Sequence, residues 1–218
     1  MTRTEETRET EALVEPEADQ TPLVDVVRYC ALVFLALRVL TFVIGLVAVS
    51  LVPPLDPVGV PGWPAHPAPD PGWHNLFTAW ERFDALWFLR IADSGYRPGD
   101  GSAAFFPLYP LAIRAVSFAL GGHPFGASVL ISNAAFLGAL VMTYRLTEFE
   151  LGERRARTTV VLLSFFPTSF FFLMPYTESL FLLLAVTAFT FARRGRWAVA
   201  GAAGALAALT RGVGLVLA

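Results

Sequence analysis

Apolar residues along the chain gather into long, nearly charge-free runs. The first, Val26–Val52, is long enough at about 1.5 Å per residue to cross a hydrocarbon core of roughly 30 Å with some tilt, and Pro53-Pro54 ends it. Phe125–Leu146 and Trp197–Ala218 read as further spans. Thr158–Ala192 is also apolar, but as one helix it would measure about 50 Å, too long for a single crossing. Pro175-Tyr176-Thr177-Glu178-Ser179 divides it into a hairpin of two spans. Phe105–Leu120 is short and interrupted by Pro107, Pro110 and Arg114, and reads as interfacial. The pattern predicts an all-α, polytopic transmembrane helical bundle of about five spans.

Composition supports that class. Only 16% of the 218 residues are charged and mean hydropathy is +0.57, against about a quarter charged in soluble domains. A soluble enzyme, a disordered chain and a disulfide scaffold are excluded; the single cysteine, Cys30, lies within an apolar run. Residues 1–22 hold seven of the 18 acids and read as a disordered acidic cytoplasmic tail, leaving 23–218 as the membrane domain. Arg145, Arg154, Arg155 and Arg157 fall in one connection, and Arg193, Arg194 and Arg196 in another. Arginine-rich connections stay on the cytoplasmic side. That places the amino terminus inside, and the long loop 53–124 and the Pro175–Ser179 turn outside, in a multi-pass cell-membrane protein.

Three constellations carry candidate chemistry. At 100° per residue Leu76, Phe77, Trp80, Phe83, Trp87, Phe88 and Ile91 share one helical face with Asp84 at its centre, while Arg82 and Asp93 point away. This predicts an interfacial amphipathic helix with a carboxylate on its apolar side. Apolar surroundings raise a carboxyl pKa toward the working range of a general base; a buried acid paired with an arginine or capping backbone is the equal alternative. Thr177 and Glu178 read as a helix cap, or as polar groups facing the same cavity as Asp84. Arg211, in Leu209-Thr210-Arg211-Gly212-Val213-Gly214, reads as a phosphate clamp or a lipid-headgroup anchor. Arg38 is a further charge within the first span, without an identified acidic partner. His66, His74 and His123 show no metal-ligand spacing. Nucleotide-binding fingerprints, HExxH and Asp-x-Asp are absent, so no cofactor is implied, although a divalent metal stays open.

The stretch Phe83-Asp84-Ala85-Leu86-Trp87-Phe88-Leu89-Arg90-Ile91-Ala92-Asp93-Ser94-Gly95-Tyr96 resembles a signature of PIG-V-like mannosyltransferases, which include the enzyme adding the second mannose in GPI-anchor assembly. Ala104-Phe105-Phe106-Pro107-Leu108-Tyr109-Pro110, Phe166-Pro167-Thr168-Ser169-Phe170-Phe171, Pro175-Tyr176-Thr177-Glu178-Ser179 and Ala208-Leu209-Thr210-Arg211-Gly212 are similar to its later motifs, in order, across roughly residues 28–218. The resemblance implies a GT-C architecture. It implies an inverting enzyme that takes mannose from a polyprenyl- or dolichyl-phosphate donor and passes it to a glycolipid or glycan acceptor. Asp84 would be the general base and Arg211 would stabilise the leaving phosphate. Glu178 would line the pocket, Tyr176 would stack on a sugar, and Tyr96, Phe106 and Tyr109 would shape the outer cavity. Trp80 and Trp87 would seat the interfacial helix. The implied partners are the two lipid-linked substrates and the bilayer, with no nucleic acid. Family members run to about twice this length, so the expectation is a bundle incomplete at its carboxyl end: a fragment, a truncated product, or one half of a split protein whose missing helices a second chain supplies. The alternative function is a non-catalytic partner subunit or lipid-binding scaffold of the same fold.

Overall fold

A computed structural model describes residues 20–51, 59–63 and 80–217. Most of the acidic tail, His66, His74, Leu76 and Phe77 lie outside the described residues. The described residues form α1 (Leu23–Leu51), α2 (Asp84–Ser94), α3 (Leu108–Ala119), α4 (Pro124–Leu151), α5 (Glu153–Ser164), α6 (Glu178–Arg193) and α7 (Trp197–Ala208). Short 3₁₀ turns lie at Ser102–Ala104, Ser169–Leu173 and Gly212–Val216. Among the described residues the only extended pairing is an isolated bridge between Val60 and Trp63.

Leu23–Ala48 and Pro124–Leu151 are long and apolar enough to cross a membrane. Helix α1 buries a single seam, Val26, Cys30, Val33 and Leu37, spaced three to four residues apart. The seam packs against Phe136, Leu140 and Tyr144 of α4 and Ala156 and Val160 of α5. The rest of α1 is apolar yet exposed, with Leu32 67% and Ile44 58% accessible. A face of that kind is suited to lipid and costly in water. A second core joins Ala85, Phe88 and Ala92 of α2 to Tyr109 and Ile113 of α3, Ala127 of α4 and Tyr176. The Phe88 and Tyr109 rings meet edge to face, 5.1 Å apart.

Hydrogen bonds sort the chain into two ends. At one end Arg145 donates to the Thr21 carbonyl (2.7 Å) and to Glu148, and the Arg193 Nε donates to Glu150 (2.5 Å). Tyr29 donates to the Arg157 carbonyl (3.0 Å). The arginine-rich connections therefore gather beside the start of α1. At the other end the Trp80 ring lies over Gly45 near the end of α1, and the starts of α2, α3 and α6 meet the end of α7. Arg38, between the two ends, donates to the Leu173 carbonyl (3.3 Å).

Two expectations change. The apolar run Trp197–Ala218 is not one helix: α7 ends at Ala208. Its final carbonyls are taken locally, the Ala207 carbonyl accepting from the Thr210 N–H, the Thr210 hydroxyl (2.5 Å) and the Arg211 N–H, while the Leu108 N–H reaches across to the Leu209 carbonyl (2.9 Å). The chain then folds back so tightly that a β-carbon on Gly214 would lie 2.4 Å from the Ala207 backbone, leaving room for glycine alone. Helix α2 also differs from the expected interfacial helix. It begins at Asp84, and Leu86, Phe88, Leu89, Arg90, Ile91 and Ala92 are all buried, so it is covered on nearly every side. The periodicity of the sequence continues smoothly back through Trp80 and Phe83, but the backbone reverses at Phe83.

Candidate functional site

That reversal sets the position of Asp84. Phe83 has φ 55° and ψ −126°, and the Ala85 N–H donates to the Arg82 carbonyl (3.2 Å), giving a turn of type II′ form in which the residue at Phe83's position is normally glycine. Among the described residues Phe83 alone combines a side chain with positive φ. A conformation this sparsely populated costs about 1–3 kcal/mol and persists only where the surroundings enforce it. The turn leaves Asp84 as the first residue of α2, where its carboxylate meets the positive end of the helix dipole.

Facing it is the start of α6. The Tyr176 hydroxyl donates to the Arg82 carbonyl (3.0 Å), and the next two residues carry the polar groups. Neither Thr177 nor Glu178 caps α6 with its side chain. Both are engaged instead by Arg211, whose Nη1 donates to Glu178 Oε1 (2.5 Å) and to the Thr177 hydroxyl (3.4 Å). Arg211 is brought there by the break after α7, with the Phe106 ring packed against Gly212 beside it. The second oxygen of Glu178, Oε2, is buried without a hydrogen-bond partner.

Asp84, Tyr176, Glu178 and Arg211 thus form one cluster from three distant stretches of chain. The Asp84 carboxyl is pushed above the ordinary carboxylate range, first by partial burial and then by the negative charge of Glu178, with Arg211 opposing. Burial raises the Tyr176 phenol to about 12, with the charges of Asp84 and Glu178 adding to the effect. Asp84 remains accessible while these neighbours crowd it, the combination a proton acceptor needs. Among the described residues no group of three or more His, Cys, Asp or Glu side chains is arranged to hold a metal ion.

Three expected site residues take other places. Tyr176 is only 5% exposed, so its ring offers no face to a sugar. Tyr109 is fully buried, its hydroxyl 2.6 Å from that of Ser132 and 3.2 Å from the Ser128 carbonyl; it supports the site from beneath. Tyr96 donates to the Phe105 carbonyl (3.0 Å) beyond the far end of α2, about 15 Å along that helix from Asp84. Sequence reasoning also passed over Ser132, which donates to the Tyr176 carbonyl (3.2 Å), and Arg90, which is 1% exposed and paired with Asp100. The signal for Arg90 was present: a charge inside the apolar run Leu86-Trp87-Phe88-Leu89-Arg90-Ile91-Ala92.

The chain thus combines membrane-length apolar helices with a cluster of two carboxylates and one arginine at one end. The chain belongs to the mannosyltransferase (PIG-V) family, whose model matches residues 24–218. It is similar to GPI mannosyltransferase 2 of Yarrowia lipolytica (strain CLIB 122 / E 150), 36% identical over 90 residues, which make up 41% of this chain and 25% of that protein. The match thus covers a quarter of that relative's length. No solved structure matches the chain.

Proposed function

We propose that this chain is a membrane mannosyltransferase that moves mannose from a polyprenyl- or dolichyl-phosphate donor to a hydroxyl of a glycolipid or glycan acceptor, with inversion. The observation that carries this reading is the convergence of Asp84, Glu178 and Arg211 at one end of the bundle. The family and the GPI-directed name of the similar protein supply the sugar and the acceptor class.

In this mechanism Arg211 binds the donor phosphate through its unused guanidinium N–H groups, and Glu178 fixes the guanidinium through Oε1. Asp84 takes the proton from the acceptor hydroxyl as its oxygen attacks the anomeric carbon opposite the phosphate. The new C–O bond forms as the bond to the phosphate oxygen breaks, and the leaving phosphate gathers negative charge against Arg211. A single displacement inverts the anomeric carbon. The raised pKa of Asp84 suits it to accept that proton.

The proposed topology has five spans, with the amino terminus and the arginine-rich connections in the cytoplasm and the Asp84 cluster on the opposite side. A cysteine placed at Gly99 is expected to react with an impermeant thiol reagent from outside intact cells; labelling only after lysis would reverse this orientation. The activity test uses membranes carrying the chain, labelled polyprenyl-phosphate mannose and a panel of glycolipid acceptors. Asp84→Asn is expected to insert normally and lower transfer by about 10²–10⁴-fold, the usual contribution of a general base. Transfer at the wild-type rate in that variant would overturn the assignment.

A further inference from the structure

We propose that Tyr176 is a positioning residue that holds Asp84 in its reactive place by fastening the strained Arg82–Ala85 turn to the helical core. The proposal rests on the transferase reading of the Asp84 cluster and adds to it a residue that acts through another.

The geometry is a chain of contacts from core to site. The Tyr109 hydroxyl meets Ser132, Ser132 donates to the Tyr176 carbonyl, and the Tyr176 hydroxyl donates to the Arg82 carbonyl. That carbonyl already closes the turn by accepting from the Ala85 N–H, so the phenol adds a second bond to the atom on which the turn depends. Phe83, within the turn, sits at a φ that aromatic side chains disfavour, and its own ring is 79% exposed and holds nothing in place. Something outside the turn must therefore keep it closed, and among the described residues the phenol supplies the hydrogen bond that reaches the turn from a distant stretch of chain. The Tyr176 ring is anchored beside Phe171, with ring centres 5.6 Å apart, and is itself buried. Release of the turn would let Asp84 swing away from Glu178 and Arg211 without unfolding any helix.

The experiment compares Tyr176→Phe, Phe83→Gly and the double variant in the full chain. Tyr176→Phe keeps the ring and removes only the hydroxyl. It is expected to lower kcat about 10- to 100-fold, the scale of a small misplacement of a reacting group, with KM for the donor unchanged. Adding Phe83→Gly is expected to restore much of the lost kcat, because glycine adopts the turn without needing the phenol. A second readout needs no activity. In Asp84→Cys the new thiol is expected to react several-fold faster with a water-soluble maleimide once Tyr176→Phe is added, and Cys30, fully buried, contributes little background. Unchanged kcat with unchanged thiol reactivity would overturn the proposal. So would a raised KM that glycine does not rescue, which would place the tyrosine on the substrate. If the wild-type chain transfers no mannose, the function reading fails, and the thiol measurement still decides the positioning role.

Discussion

Arg90 and Arg211 both face a carboxylate, and the two pairs are built in opposite ways. Arg90 is 1% exposed and its partner Asp100 is 14% exposed. The pair ties α2 to the turn after it, where the Ser102 N–H also donates to Asp100 (2.9 Å), and the guanidinium lies over the Trp87 ring at 6.0 Å. Arg211 and Glu178 are 39% and 32% exposed and sit where three elements end. A buried pair is committed to the fold, because either partner left alone is a stranded charge. A half-exposed pair contributes little stability and keeps donors free for a ligand. The lesson is that an arginine in apolar sequence is informative only together with the openness of the place to which the fold carries it.

The comparison can be broken in several ways. The largest effect is expected from Arg211→Ala: transfer should fall by about 10²–10³-fold, as for other groups that stabilise transition-state charge, while the melting temperature in detergent barely moves. A collapse of the folded state would make Arg211 structural and erase the contrast. Asp100→Asn should do the reverse, lowering thermal stability by stranding Arg90 while each surviving folded molecule keeps its transfer rate. A stable but inactive Asp100→Asn variant would bring the two pairs into one class.

Acid should separate the regions further. Asp84 has a raised folded pKa, so its ionised form is disfavoured in the fold and it holds no stability that acid can remove. The proposed base role requires the ionised form, so the rate is expected to decline on acidification before ordinary carboxylates titrate. Glu178→Gln should move that decline to lower pH by removing the neighbouring negative charge. Asp100 has a lowered folded pKa, first through its hydrogen bonding with Ser102 and then through Arg90. Its stabilising contribution is present above the unfolded pKa and is lost as pH falls through the folded one. Rate and melting temperature, followed against pH on one preparation, should therefore fail in that order. The smallest effect is expected from Gly212→Ala, whose β-carbon would meet the tip of the Phe106 ring at 3.3 Å and cost a few-fold in rate as the ring yields. The same change at Gly214 meets backbone and should be far more damaging.

Much of the site was legible in the sequence, because a charge in apolar surroundings is costly and few such charges exist. Asp84, Glu178 and Arg211 stood out on that ground alone, and the structure brings them together. What was not legible is where helices begin and end. The 100° arithmetic that put Asp84 in the middle of a helical face is satisfied equally by a helix that starts there, and nothing in Trp80–Phe83 announces the positive φ of Phe83. The end of α7 at Ala208 is hidden for the same reason, since its causes are a hydrogen bond from Leu108 and the bare α-carbon of Gly214. Tyr109 and Tyr176 were expected to face outward because aromatic residues serve equally well on a sugar or in a core; only their burial distinguishes the two.

The shortness of α7 has a mechanical consequence. Helices α1 and α4, of 29 and 28 residues, are about 44 and 42 Å long, whereas α6 and α7, of 16 and 12 residues, reach only about 24 and 18 Å. If all four helices cross a bilayer, hydrophobic matching calls for a thinner membrane beside the shorter pair. Arg211 follows the short α7. The proposed phosphate role of Arg211 therefore predicts that a long-chain lipid phosphate is met where the membrane is thinnest.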